Sequence, residues 1–77
     1  MTCKKIIFTG RVQGVGFRYQ TKQLALGFDL TGTVRNLPDG SVELIIAGEA
    51  PELADFLHEL CEESELAHHI KDRHLRE

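Results

Sequence analysis

A glycine-rich segment at residues 10–18, GRVQGVGFR, constrains this chain more than any other part of it. It separates a β-type pattern from a helical one. Residues 4–9, KKIIFT, combine β-branched and aromatic side chains and predict a strand. A loop between a strand and a helix can direct several backbone N–H groups towards one point. With Arg18 at its end, that point suits a phosphate group.

The residues after the loop predict a helix and then a β-hairpin. The helical pattern runs through Phe17, Thr21, Leu24 and Phe28. Gly27 is expected to end this helix in a left-handed conformation. Residues 30–37 and 41–47 predict two strands. The turn Pro38-Asp39-Gly40 joins them, because proline presets φ and glycine accepts a positive φ.

The remaining residues predict a second helix and a fourth strand. Pro51 suits the first turn of a helix. One apolar stripe follows it, formed by Leu53, Phe56, Leu57, Leu60 and Cys61. For the polar tail, a strand over residues 69–75 is favoured over a continuation of the second helix. The order βαββαβ indicates a ferredoxin-like α+β sandwich, with an antiparallel sheet and two helices on one face.

Length and composition narrow the function classes. Seventy-seven residues predict a single domain over residues 1–77. The net charge of −3 argues against nucleic-acid binding, which needs a basic face. No apolar run is long enough to span a bilayer, and no export signal is evident, so we expect a cytoplasmic protein with no membrane partner. In that compartment Cys3 and Cys61 are expected to be reduced.

Two common phosphate motifs do not fit the glycine-rich loop. A P-loop requires Lys-Ser or Lys-Thr after its last glycine, and neither pair is present. A dinucleotide fingerprint requires a third small residue where Tyr19 stands, after Gly14 and Gly16.

The loop instead resembles the signature loop of the acylphosphatases. Residues 32–42, GTVRNLPDGSV, resemble the second signature of the same family, and the two lie in the expected order with a helix between them. The resemblance covers residues from about Lys4 to Leu60. It implies the hydrolysis of small acyl phosphates without a metal, a cofactor or a covalent phosphoenzyme.

The resemblance also implies which residues act. Arg18 would hold two phosphate oxygens, and Asn36 would position the attacking water; these are the expected catalytic residues. The backbone N–H groups that would wrap the phosphate belong to Gln13, Gly14, Val15, Gly16, Phe17 and Arg18. The side chain of Gln13 is expected to point to solvent while its backbone binds.

Two alternatives stay open beside the enzyme. One is a non-catalytic module, similar to acylphosphatase-like domains, that binds an anion or carbamoyl phosphate. The other is an RNA-binding domain of the same topology, which would need aromatic side chains on the central strands. Residues 42–46, VELII, carry none, so this second alternative is weak.

The C-terminal part departs from the family pattern. Members of the family run longer, so the C-terminal edge of the sheet is expected to be shortened here. We expect a monomer, with lower stability or an unpaired edge strand that allows association.

Overall fold

Four strands and two α-helices make up the computed structural model, which describes residues 1–14 and 16–76. A π-helical segment, Glu59–Glu63, and a short 3₁₀-helix, Glu65–His69, follow the second α-helix. The main elements are β1 (Thr2–Gly10), α1 (Phe17–Ala25), β2 (Leu30–Asn36), β3 (Val42–Gly48), α2 (Ala50–His58) and β4 (Ile70–Arg76).

The strands form one antiparallel sheet in the order β2-β3-β1-β4. Hydrogen bonding joins β1 to β3 and to β4, and β2 to β3. The sheet and its two helices confirm the predicted ferredoxin-like arrangement. The fourth strand, predicted over residues 69–75, is β4 at the edge of the sheet.

The core lies between the sheet and the helices. Alternate residues of the strands point to opposite faces, so Ile6 and Phe8 on β1 and Leu44 on β3 lie on the helical side. They belong to one hydrophobic cluster with Phe17 of α1 and Phe56 of α2. The ring centroids of Phe8 and Phe17 lie 5.4 Å apart, which fastens the start of α1 to the central strand.

The end of α1 differs from the prediction. Gly27 does not have a positive φ, so the expected left-handed termination is wrong. The N–H of Gly27 donates to the carbonyl of Leu24, and the N–H of Phe28 donates to that of Ala25. Such i→i−3 bonds tighten the last turn into 3₁₀ geometry. A 3₁₀ turn is built from residues with negative φ, so no left-handed residue is needed to end the helix.

The polar segment between α2 and β4, residues 59–69, packs against the core through two buried leucines. Leu60 and Leu66 are both almost fully buried. Ser64 lies between them; its hydroxyl donates to the carbonyl of Leu60 and accepts from the N–H of Leu66. This segment therefore carries the chain from the helical layer back into the sheet.

The face of the sheet opposite the helices carries a buried carboxylate. The side chain of Glu43 is 5% exposed and accepts a hydrogen bond from Arg35 Nε at 2.7 Å, with Lys5 Nζ at 3.2 Å. The hydrogen bond from Arg35 holds the pKa of Glu43 below its ordinary value, against the opposing effect of burial. The carboxylate thus joins β3 to β2 and β1.

No helix within the described part of the chain has the length and apolar character needed to cross a membrane.

Candidate functional site

The glycine-rich loop is fastened to the core at both ends. Val12 is fully buried, and Phe17, the first residue of α1, is 2% exposed. Gly14 and Gly16, which lie between these anchors, are exposed. Burial of the two apolar side chains therefore sets where the loop begins and ends, and leaves its glycines facing outward.

Within the described part of the loop, Gly14 and Gly16 both adopt left-handed backbone conformations. The φ angles are +77° at Gly14 and +76° at Gly16. Residues with a side chain rarely adopt such angles, whereas glycine does so readily. Turns of this type make concavities of N–H groups that suit an anion.

The start of α1 adds further donors to the loop. Gly16 is the N-cap residue, and the N–H of Gln20 donates to the carbonyl of Gly16 at 2.9 Å. In an α-helix the N–H groups before this bond, here those of Phe17, Arg18 and Tyr19, have no partner within the helix. The partial positive charge at a helix N-terminus favours a negatively charged ligand.

Arg18 and Asn36 line the same cavity, which has a volume of about 310 Å³. Arg18 lies in the first turn of α1, and Asn36 is the last residue of β2. The residues that line the cavity are Val12, Gly14, Gly16, Phe17, Arg18, Tyr19 and Asn36. Among these described residues Arg18 is the one with a charged side chain, so the cavity favours an anion over a cation.

Most of the predicted site residues therefore meet at one place. Of the six residues expected to offer backbone N–H groups, Gly14, Gly16, Phe17 and Arg18 line the cavity, and Asn36 completes the lining. Val15 lies outside the described residues. Gln13 is not among the lining residues.

The side chain of Gln13 does not point to solvent, so that expectation is wrong. It is half-buried, and its Nε2 donates to the carbonyl oxygens of Leu37 and Ser41, each at 2.8 Å. The loop packs against the turn between β2 and β3, a proximity that the sequence pattern does not reveal. Two carbonyl oxygens near an amide satisfy both of its N–H groups.

Tyr19 is a cavity residue that the sequence reasoning missed. Tyr19 is 69% exposed and lines the cavity next to Arg18. Tyr19 directly follows Arg18, the predicted phosphate-binding residue, in the first turn of α1. This position in the sequence could have identified it.

The described residues also line two other cavities. One of about 440 Å³ lies between α1 and β2 and is lined mainly by apolar side chains, including Leu26, Leu30 and Ile46. Another of about 350 Å³ lies between α2 and β4, and its charged lining combines Lys4 and Arg73 with the carboxylate of Glu62. Neither is bordered by the glycine-rich loop, so the smaller cavity at the start of α1 is the candidate site.

Known proteins resemble this chain in sequence. A protein named Acylphosphatase from Lacticaseibacillus paracasei is 52% identical over 54 residues, which is 70% of this chain and 58% of that protein. A second, from Methanospirillum hungatei, is 39% identical over 72 residues, which is 94% of this chain and 79% of that protein. In several of the most similar relatives, such as those from Listeria, the matched part spans little more than half of the protein's length.

The fold shows the same relationship. A crystal structure of acylphosphatase from Bacillus subtilis superimposes with a TM-score of 0.88 at 36% identity, covering 99% of this chain and 83% of that one. The sequence profile of the acylphosphatase family matches residues 4–77. This chain therefore belongs to the acylphosphatase family.

Proposed function

We propose that the chain hydrolyses acyl phosphates to a carboxylate and inorganic phosphate. The observation that carries the proposal is the single cavity in which the glycine-rich loop, Arg18 and Asn36 meet. The names of the relatives support the same reaction. Neither of the other two cavities described above is bordered by the glycine-rich loop or by Asn36.

The loop and Arg18 bind the phosphoryl group. The backbone N–H groups of residues 13–18 donate to its oxygens. The guanidinium of Arg18 donates two parallel hydrogen bonds, a geometry that a lysine ammonium cannot reproduce. Phosphoryl transfer depends mainly on such positioning and on stabilisation of charge in the transition state.

Asn36 positions the attacking water. Its amide can both donate and accept a hydrogen bond, so it can orient a water molecule against the phosphorus atom. The amide is not a base, and no carboxylate or imidazole is among the described residues that line the cavity. We therefore assign the proton of the water to an oxygen of the substrate phosphate.

The leaving group makes little demand on the protein. The conjugate acid of a carboxylate has a pKa of about 4, so the carboxylate departs without a general acid. The proposed reaction accordingly uses no metal and no cofactor. We extend the proposal to a monomeric enzyme of the cytoplasm that acts on small acyl phosphates.

Release of phosphate from benzoyl phosphate, measured with a metal chelator present, tests the proposal. The wild-type chain should be active. Arg18→Ala and Asn36→Ala should each lower kcat/KM by about 10²-fold or more, because each removes a group that acts on the transition state. Circular dichroism should show both variants folded, since both side chains are exposed.

A different result would favour the binding module. Folded wild-type protein that binds inorganic phosphate but releases none from benzoyl phosphate would contradict hydrolysis. Activity that disappears with the chelator and returns with added metal would contradict the metal-free mechanism.

A further inference from the structure

The side chain of Gln13 connects the two halves of the candidate site. Its Nε2 donates to the carbonyl of Leu37 and to that of Ser41, each at 2.8 Å. Both acceptors are carbonyl oxygens, so only the NH₂ end of the amide can face them, and the orientation of the amide follows from chemistry. Gln13 begins the loop of residues 13–18, whereas Leu37 directly follows Asn36.

The turn between β2 and β3 is closed without any help from Gln13. The N–H of Leu37 donates to the carbonyl of Ser41 at 2.9 Å, and the N–H of Gly40 donates to that of Leu37 at 3.1 Å. The carboxylate of Asp39 accepts from the N–H of Ser41 at 2.9 Å. Each carbonyl that Gln13 contacts therefore keeps one donor when the Gln13 amide is removed, so the hairpin should survive its loss.

What the Gln13 amide adds is a fixed distance between the loop and the end of β2. Asn36 pairs with Val42 of β3, and the chain then turns at Leu37. In hydrolysis the loop would hold the phosphorus atom and Asn36 the water. A displacement of about 1 Å between reacting groups can cost 10²-fold in rate.

We propose that the Gln13 side chain is a positioning residue that holds Asn36 in register with the phosphate loop. The inference rests on the proposed hydrolysis for its kinetic effect. Its structural content is separate: phosphate bound in the loop contacts the Asn36 amide only while the Gln13 amide joins the two segments.

Gln13→Met tests this, because methionine has a similar length and no N–H donor. With benzoyl phosphate, kcat should fall about tenfold or more, whereas the inhibition constant of inorganic phosphate should change less than about twofold, since the backbone donors of the loop remain. Gln23→Met is the matched control. Gln23 is exposed on α1 and lies outside the cavity, so its replacement should change neither constant.

A double-mutant cycle separates positioning from general damage. In the Asn36→Ala background, Gln13→Met should cause no further fall in kcat, because its effect acts through Asn36. A fall of the same size in both backgrounds would overturn the proposal. An unchanged kcat in Gln13→Met would also overturn it.

A second readout does not depend on turnover. Inorganic phosphate should shift the NMR signals of the Asn36 side-chain amide in the wild-type chain. In Gln13→Met it should still shift the backbone amide signals of the loop, such as those of Gly14 and Gly16, but no longer those of the Asn36 side chain. Equal shifts of Asn36 in both proteins would overturn the inference. If the wild-type chain were inactive, the proposed hydrolysis would be refuted but the inference about Gln13 would not. The NMR comparison would still decide the role of Gln13.

Discussion

Arg18 and Asn36 line one cavity although they belong to different elements, since Arg18 lies in the first turn of α1 and Asn36 ends β2. The chain runs along α1 and then returns along β2 in the opposite direction. The first turn of the helix and the last residue of the strand therefore lie at the same end of the sheet. A residue with a guanidinium and a residue with a neutral amide thereby line one cavity with the glycine-rich loop. Because the two residues lie on different elements, each can be substituted separately and its effect on phosphate binding and hydrolysis measured.

Arg18→Lys should weaken phosphate binding and catalysis while leaving the positive charge in place. Lysine offers a point charge where arginine offers a planar pair of donors. We expect kcat/KM for benzoyl phosphate to fall about tenfold or more, with a higher inhibition constant for inorganic phosphate. Arg11→Lys is the control, because Arg11 is exposed and does not line the cavity. Equal effects of both substitutions would contradict a specific role for Arg18.

Gly16→Ala should destabilise the chain through its backbone alone. A Cβ at Gly16 would lie 3.6 Å from Gln20 Nε2, an ordinary contact, but the φ of +76° disfavours alanine. The expected loss in the free energy of unfolding is about 1–2 kcal/mol, together with weaker phosphate inhibition. Urea denaturation measures the first quantity.

Gly27→Ala provides the contrast. Gly27 lacks a positive φ, and its added Cβ would meet the carbonyl oxygen of Leu24 at 3.5 Å. The free energy of unfolding should therefore change by less than about 0.5 kcal/mol. A Gly27→Ala variant as unstable as Gly16→Ala would contradict the argument from φ.

Thr21→Val should stabilise the fold. Thr21 is 1% exposed, and within the described chain its Oγ1 has no hydrogen-bond partner. A buried hydroxyl without a partner costs about 1–3 kcal/mol, and valine has nearly the same shape without that group. We expect the urea midpoint to rise. Thr21→Ser, which keeps the hydroxyl and loses the methyl group, should lower it.

Stability should fall on acidification through Glu43. The pKa of this carboxyl is lowered in the folded state, chiefly by the hydrogen bond from Arg35, below an ordinary value of 4.5. The folded state therefore binds fewer protons than the unfolded state. The stabilisation is present above that ordinary value and is lost as the pH falls through the lower folded pKa.

Glu43→Gln measures this contribution. The variant should have a lower urea midpoint than the wild type at neutral pH, and a smaller decline below about pH 4.5. Part of the decline should persist, because the hydrogen bonds from Ser41 also lower the pKa of Asp39. Parallel pH profiles for the two proteins would contradict the role of Glu43.

The architecture could be predicted because its signals are local. The strand patterns, the apolar residues of α2 and the turn at Pro38-Asp39-Gly40 each depend on neighbours in the chain, and each lies close to where the pattern placed it. The last two residues of the predicted stripe, Leu60 and Cys61, lie in the π-helical segment after α2. The error at Gly27 has the same origin. A glycine after a helix permits a left-handed residue without requiring one, and here the i→i−3 bonds of Gly27 and Phe28 end the helix instead.

The sequence identified the residues of the candidate site but not the contacts between them. The glycine spacing and the two motifs selected the loop, Arg18 and Asn36, but their roles in hydrolysis remain predictions. The partners of Gln13 could not be predicted, because Leu37 and Ser41 lie 24 and 28 residues away and present backbone atoms. No side-chain pattern identifies a carbonyl oxygen as an acceptor.

By itself the sequence determined where strands, helices and turns form, because hydrophobic period and backbone preference act over a few residues. Tertiary structure alone decided which distant groups meet. Strand order places Glu43 between Arg35 and Lys5, and the packing of Val12 and Phe17 places the glycine-rich loop beside Asn36 at the end of β2. These contacts depend on how whole strands and helices pack together, which no pattern of neighbouring residues specifies.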